Sequence, residues 1–256
     1  MMGKWMKACC LLVALAGSAQ AAQETYVVGS GGTYRPFEYE NSQKQLEGFD
    51  IDIIKAIAKA EGFDVKLVNT PWEGIFATLN TGDRDIIISG ITITDKRKQM
   101  VDFSAPYFPA EQSIVVPADS KVSSLEALKN EKVGVVNSST GDIVVSEVLG
   151  KNSTAIKRFD NTPLMLQELF EDGVSAAVGD VGVVKYYIKQ HPEKQFKLVP
   201  DAKFERQYFG IAVAKGNKEG GRYNGSVLHG ARRTPVDLPA SGASKQASLE
   251  AHKGKS

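Results

Sequence analysis

Cysteine is nearly missing from this chain: two in 256 residues, adjacent at Cys9 and Cys10. Both fall in a stretch that reads as a leader. Lys4 and Lys7 make a basic start, an apolar run follows from Ala8 to Gly17, and Ala19-Gln20-Ala21 offers small residues for cleavage. These are the three parts of a secretory signal peptide. The apolar run falls short of the ~20 residues that a membrane-spanning helix needs. The cysteines follow Lys7-Ala8 without the small-residue box of a lipoprotein leader, so they are expected to leave with residues 1–21. Disulfide and thiol chemistry are then excluded from the mature chain, and export is expected. Histidine is almost as scarce, at His191, His229 and His252 only. His191 precedes Pro192 in an expected loop, and no Ser-His-Asp set or metal-ligand cluster is visible. No catalytic residue, metal site or cofactor is therefore expected. A long apolar run is also lacking after the leader, so the exported chain reads as soluble. Charge of one sign is not in excess either. Removing Lys4 and Lys7 leaves 29 basic against 30 acidic residues, which argues against a nucleic-acid partner or a polybasic membrane binder.

What the chain does have is alternation of strand and helix signals. Tyr26-Val27-Val28 reads as a strand running into Gly29-Ser30-Gly31-Gly32, and Asp50 is placed to cap a helix with Ile53, Ile54, Ile57 and Ala58 on one face, ended by Gly62. A strand over Val65–Val68, a helix over Trp72–Leu79 and a strand over Asp85–Ser89 follow. The pattern then restarts. Ser123 caps a helix start, Val133–Val136 is a strand, Gly141–Leu149 a helix, and Ala155–Arg158 a strand. Asn161 or Thr162 caps Pro163–Phe170, and Ala176–Val178 is a strand ending at Gly179-Asp180. Helices between strands imply βαβ units and mostly parallel sheets. About 235 mature residues suffice for two α/β lobes of about 100 each. Ligands of such sheets bind beyond the C-terminal strand ends, where Gly29–Tyr34, Gly90–Arg97, Asn137–Asp142 and Gly179-Asp180 fall. From Gly220 onward the composition turns to Gly, Ser and Pro with an excess of basic residues. That tail is expected to be poorly ordered.

The most pointed chemistry is in "SGITITDKRKQMVDFS", residues 89–104. Thr94 reads as an N-cap, so a helix begins there. A helix start favours anions, and Arg97 adds a planar fork suited to a carboxylate, with Thr92 nearby. The competing reading is a surface pair of Arg97 with Asp95 or Asp102. Asp180 at a strand end is placed to hold a cation, or else to cap the helix around Val183–Ile188. Tyr34 and Trp72 are placed to flank a ligand side chain, or else to pack in the core. Asn137-Ser138-Ser139-Thr140-Gly141 offers backbone N–H groups to an anion, or is an ordinary polar loop.

Taken in order, the stretches "GGTYRPFEY", "LEGFDIDIIKAIAKAEG", "PWEGIFATLNTGDRDIIISGITITDKRKQMVDFSAPYF", "KVGVVNSSTG", "AAVGDVGVVKYYI" and "QYFGIAVAKGN" resemble the periplasmic amino-acid-binding proteins of ABC importers, solute-binding family 3. The resemblance runs from about Tyr26 to Gly216. It implies the two-lobed periplasmic-binding-protein fold of type II, each lobe a mostly parallel sheet flanked by helices, with the ligand in the interlobe cleft. Lobe 1 would comprise 22–112, with 207–219 returning to it, and lobe 2 would comprise 113–206. Crossovers are expected near Glu111–Val115 and Arg206–Phe209. The implied function is capture of a polar or basic L-amino acid and its delivery to a permease and ATPase on separate chains, by a monomer. Arg97, with Thr92 and the backbone at Thr140 or Gly141, would take the α-carboxylate. Asp180 and the Gly90 carbonyl would take the α-ammonium, and Tyr34 and Trp72 would flank the side chain.

Two departures from the family pattern stand out. Many members carry Asp or Glu, touching the ligand side chain, where this chain has Gly31; Gly179 is small as well. A roomy side-chain pocket is expected, with Glu73, Glu111 and Asp142 as candidates for a replacement acid. After "AVAKGNKE" the sequence "GGRYNGSVLHGARRTPVDL" stands in place of the family's C-terminal amphipathic helices, which fits a frameshift or gene-end rearrangement in 220–256. The alternatives to a transport binding protein are a dehydratase-like eliminase on the same fold and a ligand-sensing module.

Overall fold

The computed structural model describes residues 23–216. The expected leader (1–21), the end of the returning segment (217–219) and the tail (220–256) lie outside the described residues. Strand β1 (Thr25–Ser30) sends Tyr26 and Val28 into one core, with the two-residue period of a strand. A small antiparallel meander follows: β2 (Thr33–Tyr34), β3 (Glu38–Glu40) and β4 (Leu46–Glu47). Helix α1 (Phe49–Glu61) buries Phe49, Ile53, Ile54, Ile57 and Ala58. It stops at Gly62, whose left-handed backbone lets its N–H bond back to Ala58 O. Its start differs from the expectation. Gly48, not Asp50, is the N-cap: its φ is 126°, and a Cβ there would stand 2.3 Å from Phe37 O. Asp50 is drawn into the interior, where Oδ2 accepts the Gly90 N–H at 2.7 Å.

Strand β5 (Asp64–Asn69) pairs with β1. The helix expected from Trp72 forms only at α2 (Ala77–Thr81), because Gly74 takes φ 77° and interrupts the turn before it. Strand β6 is Ile86–Ile87, shorter than the expected Asp85–Ser89. Asp85 accepts from Val27 N, and Ser89 gives its hydroxyl to Glu38. Helix α3 (Asp95–Met100), β7 (Val101–Phe103) and β8 (Phe108–Ala110) lead to β9 (Gln112–Pro117). A 3-10 turn at Glu126–Asn130 has Leu125, not the expected Ser123, at its N-cap, and Ser124 Oγ accepts the Ala127 N–H at 3.3 Å. Then come β10 (Val133–Val136), α4 (Thr140–Leu149), β11 (Ile156–Phe159) and α5 (Thr162–Phe170). The described chain ends with β12 (Ala176–Asp180), α6 (Val181–Gln190), β13 (Phe196–Val199), β14 (Gln207–Phe209) and β15 (Ala212–Ala214).

Two five-stranded sheets share one plan, β5-β1-β6-β15-β7 and β11-β10-β12-β9-β13. In each, three parallel strands meet an antiparallel fourth, and the fifth pairs with that fourth strand. Four of every five strands therefore point the same way. The sheets are joined through a ribbon in which β8 pairs antiparallel with β14. The outward passage lies a few residues before the expected Glu111–Val115, because Gln112 already belongs to the second sheet. Cores cover both faces of each sheet. Ile86 and Ile88 point into one cluster and Ile87 into another; Ile114 and Val116 oppose Val115 in the same way. Burial on both faces is why these strands read as unbroken apolar runs.

Candidate functional site

The loops at the C-terminal strand ends enclose a cleft of about 640 Å³, measured out to its mouth. That is the size of a small-molecule site. On one wall stand Tyr34, Glu38, Trp72, Gly90, Thr92 and Arg97; on the other are Gln112, Thr140 and Asp180. Seven of the eight residues expected from the sequence thus line one cavity. The eighth, Gly141, does not. It lies in the first turn of α4 against β12, where a Cβ would stand 2.9 Å from Val178 O, so any part it plays is confined to its backbone.

Arg97 is buried, with 5% of its surface exposed. Thr94 caps α3 by accepting the Arg97 N–H at 3.2 Å. The guanidinium donates to Thr92 O at 2.9 Å and reaches toward Ser138 O, at 3.4 Å, on the other wall. It also lies 5.1 Å from the centre of the Trp72 ring, within cation–π range. The surface pairing with Asp95 or Asp102 does not form: Lys98 takes Asp95 and Lys215 takes Asp102. Burial lowers the Arg97 pKa to about 10, so it stays a cation at neutral pH.

Gly90 has φ 52°, and a Cβ there would meet the Tyr34 ring at 2.7 Å. The bare backbone lets that ring lie flat on the loop. From there the Tyr34 hydroxyl crosses to the other sheet and donates to Asp180 Oδ2. Asp180 caps α6 by backbone geometry only, with no side-chain cap bond, so the capping alternative does not claim its carboxylate. Burial, foremost, pushes its pKa up to about 6, against the lowering pull of Tyr34, Gln112 and Arg97. Gln112 stands close enough to exert that pull. Even so, Gln112 Nε2 and Asp180 Oδ1 are both buried without a hydrogen bond of normal geometry. A buried carboxylate oxygen lacking a donor is costly in a folded protein, and the residue that carries it lines the cleft.

The same cleft holds an acid that sequence reasoning missed. Glu38 is 2% exposed. It accepts from Ser30 Oγ, from the Gly31 N–H at 2.8 Å and from Ser89 Oγ at 2.7 Å. Burial raises its pKa to about 7, and those three donors only partly offset the rise. The acids considered at the sequence level lie elsewhere. Glu73 and Glu111 are exposed, and Asp142 is held by Arg158 and by the Ser138 N–H. The usable signal was the pair of serines ending β1 and following β6, two hydroxyls on neighbouring strands with a strand acid opposite. A three-residue strand such as β3 has too short a period to show which way Glu38 points. Among the described residues no cluster of three or more His, Cys, Asp or Glu is arranged to hold a metal.

A cleft between two sheets of identical plan, with a buried arginine facing a buried carboxylate across it, defines a two-lobed binding protein for a small charged solute. The chain belongs to the bacterial extracellular solute-binding proteins, family 3, whose pattern matches residues 26–223. It is 42% identical over 230 residues to a probable histidine-binding protein of Neisseria gonorrhoeae, covering 85% of this chain and 86% of that one. Among solved structures it is similar to the arginine-, lysine-, histidine-binding protein ArtJ of Geobacillus stearothermophilus. That TM-score is 0.78 at 33% identity, covering 90% of this chain and 96% of that one. It is also similar to the ancestral amino acid-binding protein AncCDT-1, a precursor of cyclohexadienyl dehydratase. Here the TM-score is 0.74 at 35% identity, with 89% and 95% covered. No helix among the described residues is long and apolar enough to cross a membrane.

Proposed function

We propose that this chain captures a polar or basic L-amino acid in the periplasm and hands it to the permease and ATPase of an ABC importer. One observation carries the reading: Arg97 and Asp180, both buried, line the same cleft close enough to feel each other's charge. A guanidinium fork and a carboxylate so placed complement the α-carboxylate and α-ammonium of a zwitterion. In this reading Arg97, Thr92 and Thr140 hold the α-carboxylate, with the Gly141 backbone behind Thr140. Asp180 and the Gly90 carbonyl hold the α-ammonium. Tyr34 and Trp72 flank the side chain. The lobes are residues 22–112 with 207–219, and 113–206, except that Gln112 goes with the second; the chain acts as a monomer exported by a cleavable leader.

The names of the relatives and neighbours, which include histidine, arginine and lysine binders, support a basic ligand. The eliminase alternative draws on the dehydratase precursor among the neighbours and on Glu38, an acid held near neutrality. Product formation from a bound ligand separates that enzyme from a binder. The test of the binding reading is a thermal-shift and calorimetric screen of the purified chain against the L-amino acids. A ligand that binds only the native state must raise Tm. Arg97→Ala should weaken binding by about a hundredfold or more while the unliganded chain still folds, since it removes one partner of a buried charged contact. Retained affinity in that variant would sink the carboxylate assignment.

A further inference from the structure

We propose that Glu38 reads the ligand's side chain by exchanging its own proton for the cationic head of a basic side chain. This rests on the amino-acid reading above and narrows it to a ligand class and a mode of control.

The first argument is placement. Glu38 sits on the cavity wall between Gly31 and Ser89. A Cβ on Gly31 would stand 2.8 Å from Glu38 Oε1. A larger residue at Gly31 would therefore press on the carboxyl, and the glycine leaves room beside it on the cleft wall.

The second argument is charge. Around the cleft and just behind it stand three shielded carboxyls, Glu38, Asp50 and Asp180, against one buried cation, Arg97. Asp50, on α1, has its oxygens taken by the Gly90 N–H and the Tyr107 hydroxyl, and Asp180 is met by Tyr34. Arg97 faces Trp72 and Asp180 and makes no contact with Glu38. The other titratable groups turned toward Glu38 are Tyr34 and Tyr107, both kept neutral by burial. A zwitterion brings one charge of each sign and leaves the balance as it was. A basic side chain brings a further positive charge, and of Glu38 and Asp180, the two of these carboxyls that line the cleft, Glu38 is the one without Arg97 beside it.

The third argument is the hydrogen-bond shell. Two of its three donors, Ser30 and Ser89, are hydroxyls, which donate to a carboxylate or turn and accept from a carboxylic acid. The site thus accommodates both forms of Glu38 without rearranging the backbone. In the free protein, where burial holds its pKa near 7, a large fraction of Glu38 is protonated at neutral pH. Entry of an ammonium or guanidinium stabilises the carboxylate, and the acid proton leaves to solvent. Positive charge enters and an equal positive charge departs, so the buried site's net charge is conserved.

The sign follows from linkage. Cation capture is complete above the free pKa and weakens as pH falls through about 7, by up to tenfold per pH unit, because the proton competes with the cation. A neutral amide side chain escapes this competition.

The test is isothermal titration of the purified chain with arginine and with glutamine, in two buffers of different ionisation enthalpy at pH 7. The expected result is markedly larger proton release with arginine than with glutamine, which can displace only the small fraction carried by Asp180. Glu38→Gln should bring the arginine release down to the glutamine level and shift the arginine-to-glutamine affinity ratio toward glutamine by at least about tenfold. Arginine binding by the natural chain with no more proton release than glutamine gives overturns the proposal even if Glu38→Gln does not fold. An unchanged affinity ratio in a folded Glu38→Gln also overturns it, while leaving amino-acid binding intact. A natural chain that binds neither amino acid, nor any other, removes the amino-acid reading itself and this proposal with it.

Discussion

Asp180 and Glu38 are held folded at a cost in the unliganded chain. Each has its pKa raised by burial, to about 6 and about 7, above the value of an unfolded carboxyl. The folded state therefore binds their protons more tightly than the unfolded state, and stability is greatest below the unfolded pKa and declines as pH rises through 6 and 7. The unliganded chain should melt higher at pH 5 than at pH 8, and Asp180→Asn should flatten part of that slope. A melting temperature that rises steadily from pH 5 to pH 8 would contradict the assignment. At this scale the sequence exposed Arg97 and Asp180, the pair proposed to hold the zwitterion. Arg97 and Asp180 lie in local patterns, a Thr-capped helix start and a strand end. Glu38 stayed hidden, because its neighbours come from two other stretches of chain, Ser30-Gly31 and Ser89.

Helices and strands were legible where a period ran long enough. Helix α1 is the clear case, with five apolar residues on one stripe and a closing glycine. Its first turn was misread, because an acid at the start of a helix looks like a cap. The capping position instead goes to Gly48, whose φ of 126° and closeness to Phe37 O admit no side chain. Gly48→Ala should destabilise the chain by about 1–3 kcal/mol, at about 2–4 °C of Tm per kcal/mol for a protein of this size. An unaltered Tm in a differential scanning trace would show that the turn relaxes freely. Helix α2 shows the same limit: Gly74 interrupts the helix expected from Trp72, which starts only at Ala77, and no periodicity in Trp72–Leu79 reveals that.

For the whole molecule, the bonds that cross from one sheet to the other are few and sit around the cleft. Tyr34 reaches Asp180, Trp72 Nε1 donates to Asn137 O at 3.0 Å, and the Tyr187 hydroxyl donates to Thr33 O at 3.3 Å. Trp72→Phe retains an aromatic face beside Arg97 and loses the donor to Asn137. A neutral hydrogen bond contributes about 0.5–1.5 kcal/mol, so ligand affinity should fall about three- to tenfold, chiefly through faster release in stopped-flow measurements. Unchanged release would mean that this bond does not help hold the lobes together. The two-lobe plan was readable from the restart of the strand-helix pattern. The antiparallel fourth strand of each sheet was not, since neither β9 nor β15 belongs to a βαβ unit.

That fourth strand has a consequence for how the chain is made. Strand β15 lies between β6 and β7, with Ala212 and Val213 fully buried. The first sheet is therefore incomplete until residue 214 has left the ribosome, whereas the second sheet is a single uninterrupted stretch of sequence. The half of the protein synthesised first must wait for almost the last of the described residues before it is finished. A chain that stays unfinished for so long is well suited to being threaded through a membrane before it folds.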